Sequence, residues 1–188
     1  MENFVREHFP DFLEIYNNYC YPVQRWDVIR YLILFKIGGM YVDFDYECIS
    51  SFNDFIENDA ICYFSMEPKA HCHAFGKNLC FNNALMITPP AHPFFEYIIT
   101  HLQNTPIKYT GRKMHDVLLS TGPLMLTNLF ETYKDKNTIG FFSAEQVSPL
   151  TKMEVQGLIN KTADIEELEK KTATSIAIHY FWGSWLFS

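Results

Sequence analysis

A mixed α/β domain is the fold class this sequence predicts, from three observations. Hydrophobic residues make up 48% and aromatics 16% against 20% charged, enough to bury a sizeable core in 188 residues. A stretch of helical periodicity at 23–36 runs into Gly38-Gly39, and short β-rich runs at 40–44, 61–66 and 85–87 follow it. No internal repeat or low-complexity linker interrupts the chain, so residues 1–188 read as a single domain.

Each element has a local reason. Tyr21-Pro22 breaks the chain after the segment 4–19, and Trp26, Ile29, Leu32, Ile33 and Ile37 then recur at helical steps, predicting a helix with one buried face. Gly38-Gly39 stops that helix by C-cap chemistry. Residues 40–44 and 61–66 read as strands, with a turn or short helix at 52–57 between them. Residues 85–87 form a strand entering Thr88-Pro89-Pro90, after which His92-Pro93 opens a helix at 94–103. Gly122-Pro123 precedes helical periodicity at 124–133. Residues 141–142 and 147–150 are short strand candidates, and 164–171 is a charged helix or loop. A β-rich run at 175–179 leads into Phe181-Trp182-Gly183-Ser184-Trp185.

Composition excludes several classes. The net charge is −7, and the 15 Lys and Arg form no extended basic block, so nucleic acid is not expected as a partner. Five cysteines without C-x-x-C spacing argue against a disulfide framework and for a reducing, cytoplasmic setting. His71, Cys72 and His73, read as a Lys-Ala-His-Cys-His loop, and Cys80 have zinc-ligand chemistry but not zinc-finger spacing. The first residues do not read as a secretory signal, and no apolar run is long enough for a transmembrane helix.

The candidate chemistry begins at Gly38-Gly39-Met40-Tyr41-Val42-Asp43-Phe44-Asp45. On a strand, residues i and i+2 share a face, so Asp43 and Asp45 can meet one cation, and paired carboxylates suit magnesium or manganese. Alone, the tripeptide reads equally as a solvated strand end whose acids discourage edge pairing. Asp27 and Arg30 stand one helical turn apart upstream, either as a surface ion pair or as a bracket for a small polar ligand.

Asp27-x-x-Arg30-Tyr31, Gly38-Gly39-x-Tyr41-x-Asp43-x-Asp45, Asn82-Asn83, His92-Pro93, Gly122-Pro123, His179 and Ser184-Trp185 occur in that order. The series resembles the DXD-containing sugar transferases of glycosyltransferase family 32, over roughly residues 23–185. The resemblance implies a GT-A fold, a Mn2+ or Mg2+ ion, and transfer from a nucleotide-diphosphate sugar to a glycan or lipid-linked glycan acceptor with retention of configuration. It implies that Asp43 contacts the donor, that Asp45 binds the metal directly, and that Trp185 touches the β-phosphate or glycosidic oxygen. Asp27, Arg30, Tyr31, Asn83 and Gly122 would line the donor pocket, and Ser184 and His179 would complete the metal shell, His179 being equally readable as a core histidine. The family opens with a nucleotide-binding strand that residues 4–19 do not resemble, so a GT-A fold lacking that strand is expected, with a degenerate sugar-binding module as the alternative function.

Two further readings stand beside it. A haloacid-dehalogenase phosphatase also uses D-x-D after a strand, but Tyr46-Glu47 follow here where that family has Thr or Ser. The aromatics Tyr180, Phe181, Trp182, Trp185 and Phe187 read as core packing plus one active-site Trp, with weak peripheral association with a membrane as the alternative.

Overall fold

The computed structural model describes residues 1–56 and 62–183. In chain order the helices and strands are α1 (Glu2–His8), α2 (Leu13–Asn17), α3 (Pro22–Ile37), β1 (Gly39–Val42), β2 (Tyr46–Cys48), β3 (Cys62–Met66), α4 (Lys69–Ala74), β4 (Phe81–Thr88), α5 (Pro93–Asn104), α6 (Lys113–Ser120), α7 (Pro123–Thr132), β5 (Ile139–Phe142), α8 (Ala144–Val147), α9 (Lys152–Ile159), α10 (Ile165–Thr172) and β6 (Ala177–His179). Four strands form a sheet in the order β1-β4-β3-β5, and β2 and β6 form a separate pair. The class is mixed α/β, as expected. Residues 1–41 with 87–136 form one compact unit and residues 42–86 with 137–183 another, the division falling within β1 and β4.

In the first unit, α3 is the main support. Pro22 occupies its first turn and the Gln24 side chain accepts from the Tyr21 backbone N–H at 2.9 Å, closing its N-terminus. Gly38 ends it, donating to the Leu34 carbonyl at 2.8 Å with φ of 75°, and a Cβ there would lie 2.7 Å from the Pro90 ring. The buried face differs from the expected one. Ile29 and Leu32 are buried, but Trp26, Ile33 and Ile37 are exposed, and Val28, Tyr31 and Leu34 pack inward instead. Polar and apolar residues are spread around this helix, and Gln24, Asp27 and Arg30 are buried among the apolar ones, so periodicity did not decide which face turns inward. By contrast α5 is cleanly amphipathic and buries Phe94, Phe95, Ile98 and Leu102. Before α3 the chain forms α1, a 3-10 turn and α2.

The second unit is built on β3, where Cys62, Tyr63, Phe64 and Ser65 are all buried. Its β3 runs parallel to β5, with Phe64 opposite Phe141. Phe81 stacks on Phe64 at 5.2 Å and on Phe141 at 5.3 Å, a set of ring contacts that ties the strands together. A second cluster of Leu150, Val155, Leu168 and Ile178 holds α9 and α10.

Three sequence expectations are corrected here. Residues 147–150 are not a strand: Ser143 and Gln146 form a capping box that starts α8, and Val147 is its last residue. The segment around His71, Cys72 and His73 is helix α4 rather than a loop. The strand expected at 85–87 extends over Phe81–Thr88, its first half disguised by Asn82-Asn83. The expected elements at 57 and 61 touch residues outside those described.

Candidate functional site

Within the second unit, β1 ends at Val42, and Asp43 and Asp45 lie beyond it, in the turn that leads to β2. Strand alternation therefore does not align them, contrary to expectation. The turn does: the Tyr46 N–H donates to the Asp43 carbonyl at 3.2 Å, and the Asp43 N–H is held by the Ala84 carbonyl at 2.8 Å. Phe44 between them points fully into solvent. Asp43, Asp45 and His179 each present a ligand atom, all within 4.8 Å of one another.

Asp45 is fastened to the strand that carries His179. Its carbonyl accepts from the Tyr180 N–H at 2.9 Å, its Oδ2 accepts from the Trp182 N–H at 2.9 Å, and its Oδ1 lies 3.4 Å from His179 Nε2. Phe181, with φ of 47°, turns the chain between those two donors. Burial pushes the Asp45 carboxyl upward, but the hydrogen bonds from His179 and the Trp182 N–H outweigh it and hold the pKa below the ordinary 3.8. Asp45 is thus a carboxylate, as a cation ligand must be.

The tautomer of His179 follows from its other neighbour. Asn82 Oδ1 accepts from the Ala84 N–H at 2.8 Å, which fixes the amide orientation. Its Nδ2 then faces His179 Nδ1 at 3.1 Å as the donor. Nδ1 presents its lone pair, and the ring proton sits on Nε2, toward Asp45. Tyr46 opposes His179 across the β2–β6 pair and stacks on its ring at 4.4 Å and 7°, locking the ring plane. In this arrangement His179 donates to Asp45, and the cation would find its oxygen donors on Asp43 and Asp45. Two converging carboxylates fit magnesium or manganese.

His71, Cys72, His73 and Cys80 do not form a metal centre among the described residues. His71 Nδ1 pairs with Glu67 at 2.7 Å, and its Nε2 accepts from the Lys152 N–H at 3.2 Å.

In the first unit, Asp27 and Arg30 are 4% and 7% exposed, so they are no surface pair. Arg30 Nη2 lies 3.3 Å from Asp27 Oδ1, Thr121 Oγ1 donates to Asp27 Oδ2 at 2.9 Å, and the Arg30 guanidinium covers the Tyr41 ring at 4.6 Å. The Tyr31 hydroxyl donates to the Thr121 carbonyl at 2.7 Å, which turns Thr121 toward Asp27. Gly122 follows in a close turn, where a Cβ would stand 3.1 Å from Leu118 Cα. Its role visible in the structure is packing.

Asn83 is buried on β4 in the second unit. Ser184 and Trp185 lie outside the described residues. Sequence reasoning assigned no role to Asn82, Thr121 or Tyr46. An Asn in a buried strand, facing a histidine candidate, was the available signal for the first, while the other two depend on tertiary pairing.

Comparison with known proteins gives this geometry its context. Residues 1–62 match the family described as glycosyltransferase sugar-binding region containing DXD motif. The chain belongs to the DXD-motif glycosyltransferases. Its α/β architecture is of the GT-A-like kind such domains have. Family members similar to it include inositol phosphoceramide mannosyltransferase 2 of Schizosaccharomyces pombe, 33% identical over 132 residues, covering 70% of this chain and 35% of that protein. Mannosyl phosphorylinositol ceramide synthase SUR1 of Saccharomyces cerevisiae is 33% identical over 134 residues, covering 70% and 31% respectively. A glycosyltransferase of Acanthamoeba polyphaga mimivirus, L373, is 32% identical over 105 residues, covering 54% and 38%. The chain thus spans about a third of the length of these relatives. Among the described residues no helix is long and apolar enough to cross a membrane.

Proposed function

We propose that this chain carries the catalytic centre of a metal-dependent sugar transferase that moves a sugar from a nucleotide diphosphate to a glycan or glycolipid acceptor, with retention of configuration. The observation that carries the reading is the convergence of Asp43 and Asp45 beside His179 in a family member whose motif is named for that pair. The phosphate headgroup lipids in the names of the yeast relatives support a lipid-linked acceptor.

Asp43 and Asp45 would hold manganese or magnesium, which when bound would neutralise charge on the departing diphosphate. Asp45 is kept ionised for that task by its neighbours, and the His179 N–H and Trp182 N–H fix the direction of its two oxygens. His179 is a positioning residue in this reading. Asp27 and Arg30 would hold donor sugar hydroxyls, with Thr121 fixing the carboxylate and Tyr41 supporting the guanidinium. No side chain is required as a strong base on a front-face path, because the leaving phosphate oxygen can take the acceptor proton. Ser184 and Trp185 remain the family-matched candidates for the metal shell and the β-phosphate.

A donor screen with manganese tests the proposal by reading UDP or GDP release in water and transfer to a glycolipid acceptor such as inositol phosphoceramide. Turnover that vanishes in Asp45→Ala, with folding intact, is expected; absence of binding by any nucleotide sugar in calorimetry would sink it. An inverted product anomer by NMR would remove the retention step alone.

A further inference from the structure

The segment between α5 and α6 carries a dense positive cluster in an acidic chain. Lys108, Arg112 and Lys113 fall within six positions, and no other six-residue stretch holds three Lys or Arg. Such a cluster is too short for the charge runs that bind nucleic acid. Between Glu96 and Glu131 the one acid is Asp116, and it is buried.

Asp116 is what gives the segment a fixed shape. Its Oδ2 accepts from the Thr110 N–H at 2.9 Å and its Oδ1 from the Thr110 hydroxyl at 2.5 Å. Its own N–H donates to the Arg112 carbonyl at 2.9 Å, starting α6, while Gly111 turns the loop with φ of 78°. The Thr110 hydrogen bonds, working against burial, hold the Asp116 carboxyl below its usual range. The loop is therefore pre-ordered around an ionised anchor, and of its cations Lys108 and Arg112 are exposed and Lys113 is half-buried.

Apolar groups stand among those cations. Tyr109 is 65% exposed and Met114 52% exposed, with the Tyr109 ring packed on Tyr21 at 5.8 Å. The space behind the loop, lined by Tyr19, Leu102, Ile107 and Leu119, measures about 30 Å3. That is room for a water molecule, not for a headgroup, so the loop offers a surface rather than a pocket.

We propose that this loop and the first turn of α6 dock the protein on the surface of an anionic lipid bilayer. Lys108, Arg112 and Lys113 meet the lipid phosphates, and Tyr109 and Met114 enter the headgroup layer, where amphipathic rings and thioethers are favoured. The protein's overall acidity does not oppose this, because at physiological salt charges beyond about 8 Å are largely screened and the local cluster sets the sign. The inference deepens the sugar-transfer reading by giving a lipid acceptor a surface on which to be met. Helix α6 links the two places: its C-terminal neighbour Thr121 holds Asp27, roughly 12 Å of helix from the loop.

Vesicle cosedimentation of the full chain tests it, comparing phosphatidylcholine alone with phosphatidylcholine containing phosphatidylserine. Binding is expected on the anionic vesicles and weakens with added salt. The Lys108→Ala, Arg112→Ala, Lys113→Ala variant is expected to lower partitioning about a hundredfold, from roughly fivefold per cation near the surface. Tyr109→Ala with Met114→Ala lowers it less. A control variant, Lys134→Ala, Lys161→Ala, Lys170→Ala, removes equal charge elsewhere and is expected to bind as wild type; an equal loss there overturns the proposal. So does failure of the wild type to bind, or displacement by soluble inositol phosphate at stoichiometric amounts, which would indicate a phosphate site. Donor binding with manganese, measured alongside, reports separately on the sugar-transfer reading.

Discussion

The two units each hold candidate-site acids, and they differ in how those acids are arranged. In the first, Asp27 is buried at 4% exposure and its compensation is built into the chain: Arg30 at 3.3 Å and the Thr121 hydroxyl at 2.9 Å. In the second, Asp43 and Asp45 converge on one imidazole that faces Asp45 through Nε2, so that two acids meet beside a single histidine. A buried ion pair is a fixed polar wall for a ligand, whereas two acids converging beside a histidine offer oxygen donors to a metal.

The largest effect that can break this comparison is catalytic. Asp45→Ala is expected to cut turnover of a nucleotide sugar by about 10³-fold, on the scale of losing metal stabilisation of a leaving group, and chelation of the wild type should do the same. Kinetics with and without EDTA read both. Should Asp45→Ala retain more than about a tenth of the activity, the second cluster is not the metal seat.

Stability should respond the other way round. Arg30→Ala leaves the buried Asp27 carboxylate without its guanidinium and is expected to cost about 3 kcal/mol in urea unfolding. Replacing both partners, Asp27→Leu with Arg30→Met, should recover most of that loss, because the penalty belongs to the orphaned charge. Asp45→Asn, which keeps an amide oxygen for the Trp182 N–H, should cost less, about 1 kcal/mol. Equal losses for Arg30→Ala and Asp45→Asn would erase the distinction between the clusters.

The same contrast explains what was legible in the sequence. The helix α3, its glycine stop and the following strand were readable because caps and punctuation are local, and Asp43 with Asp45 was singled out by residue type and spacing. What brings those two together was misread as strand alternation, since the turn depends on bonds to Ala84 and to the β6 segment far along the chain. The ion pair was visible as spacing, but its burial was not, because polar and apolar residues are spread around α3 and only packing chooses a face. Asn82 carried too little strand propensity to announce β4, and its hold on His179 spans 97 residues.

That hold supplies a sharper test. With Asn82→Asp, a carboxylate oxygen can still accept from the Ala84 N–H, while the other draws the ring proton to His179 Nδ1 and turns the Nε2 lone pair toward Asp45. Manganese affinity is then expected to rise about tenfold, the usual scale for partners that orient a metal-site imidazole. Titration calorimetry reads it, and an affinity unchanged from wild type would mean that the tautomer was not set by Asn82.

The smallest effect is in the acid limb of stability. Asp45 in the folded protein titrates below the ordinary 3.8, despite burial, because His179 and the Trp182 N–H favour its charge. Below 3.8 the unfolded chain therefore binds this proton before the folded one does, so the contribution is complete above 3.8 and is lost as pH falls through the folded value. Asp45→Asn has no proton to gain, and the difference between the two proteins isolates the site from other acids that titrate low, such as Asp116 and Glu154. Urea midpoints of wild type should thus fall more steeply than those of Asp45→Asn as the medium is acidified below 3.8. Parallel curves would mean that the carboxylate is no better stabilised in the fold than in water, and with that the preparation of Asp45 for a cation would go.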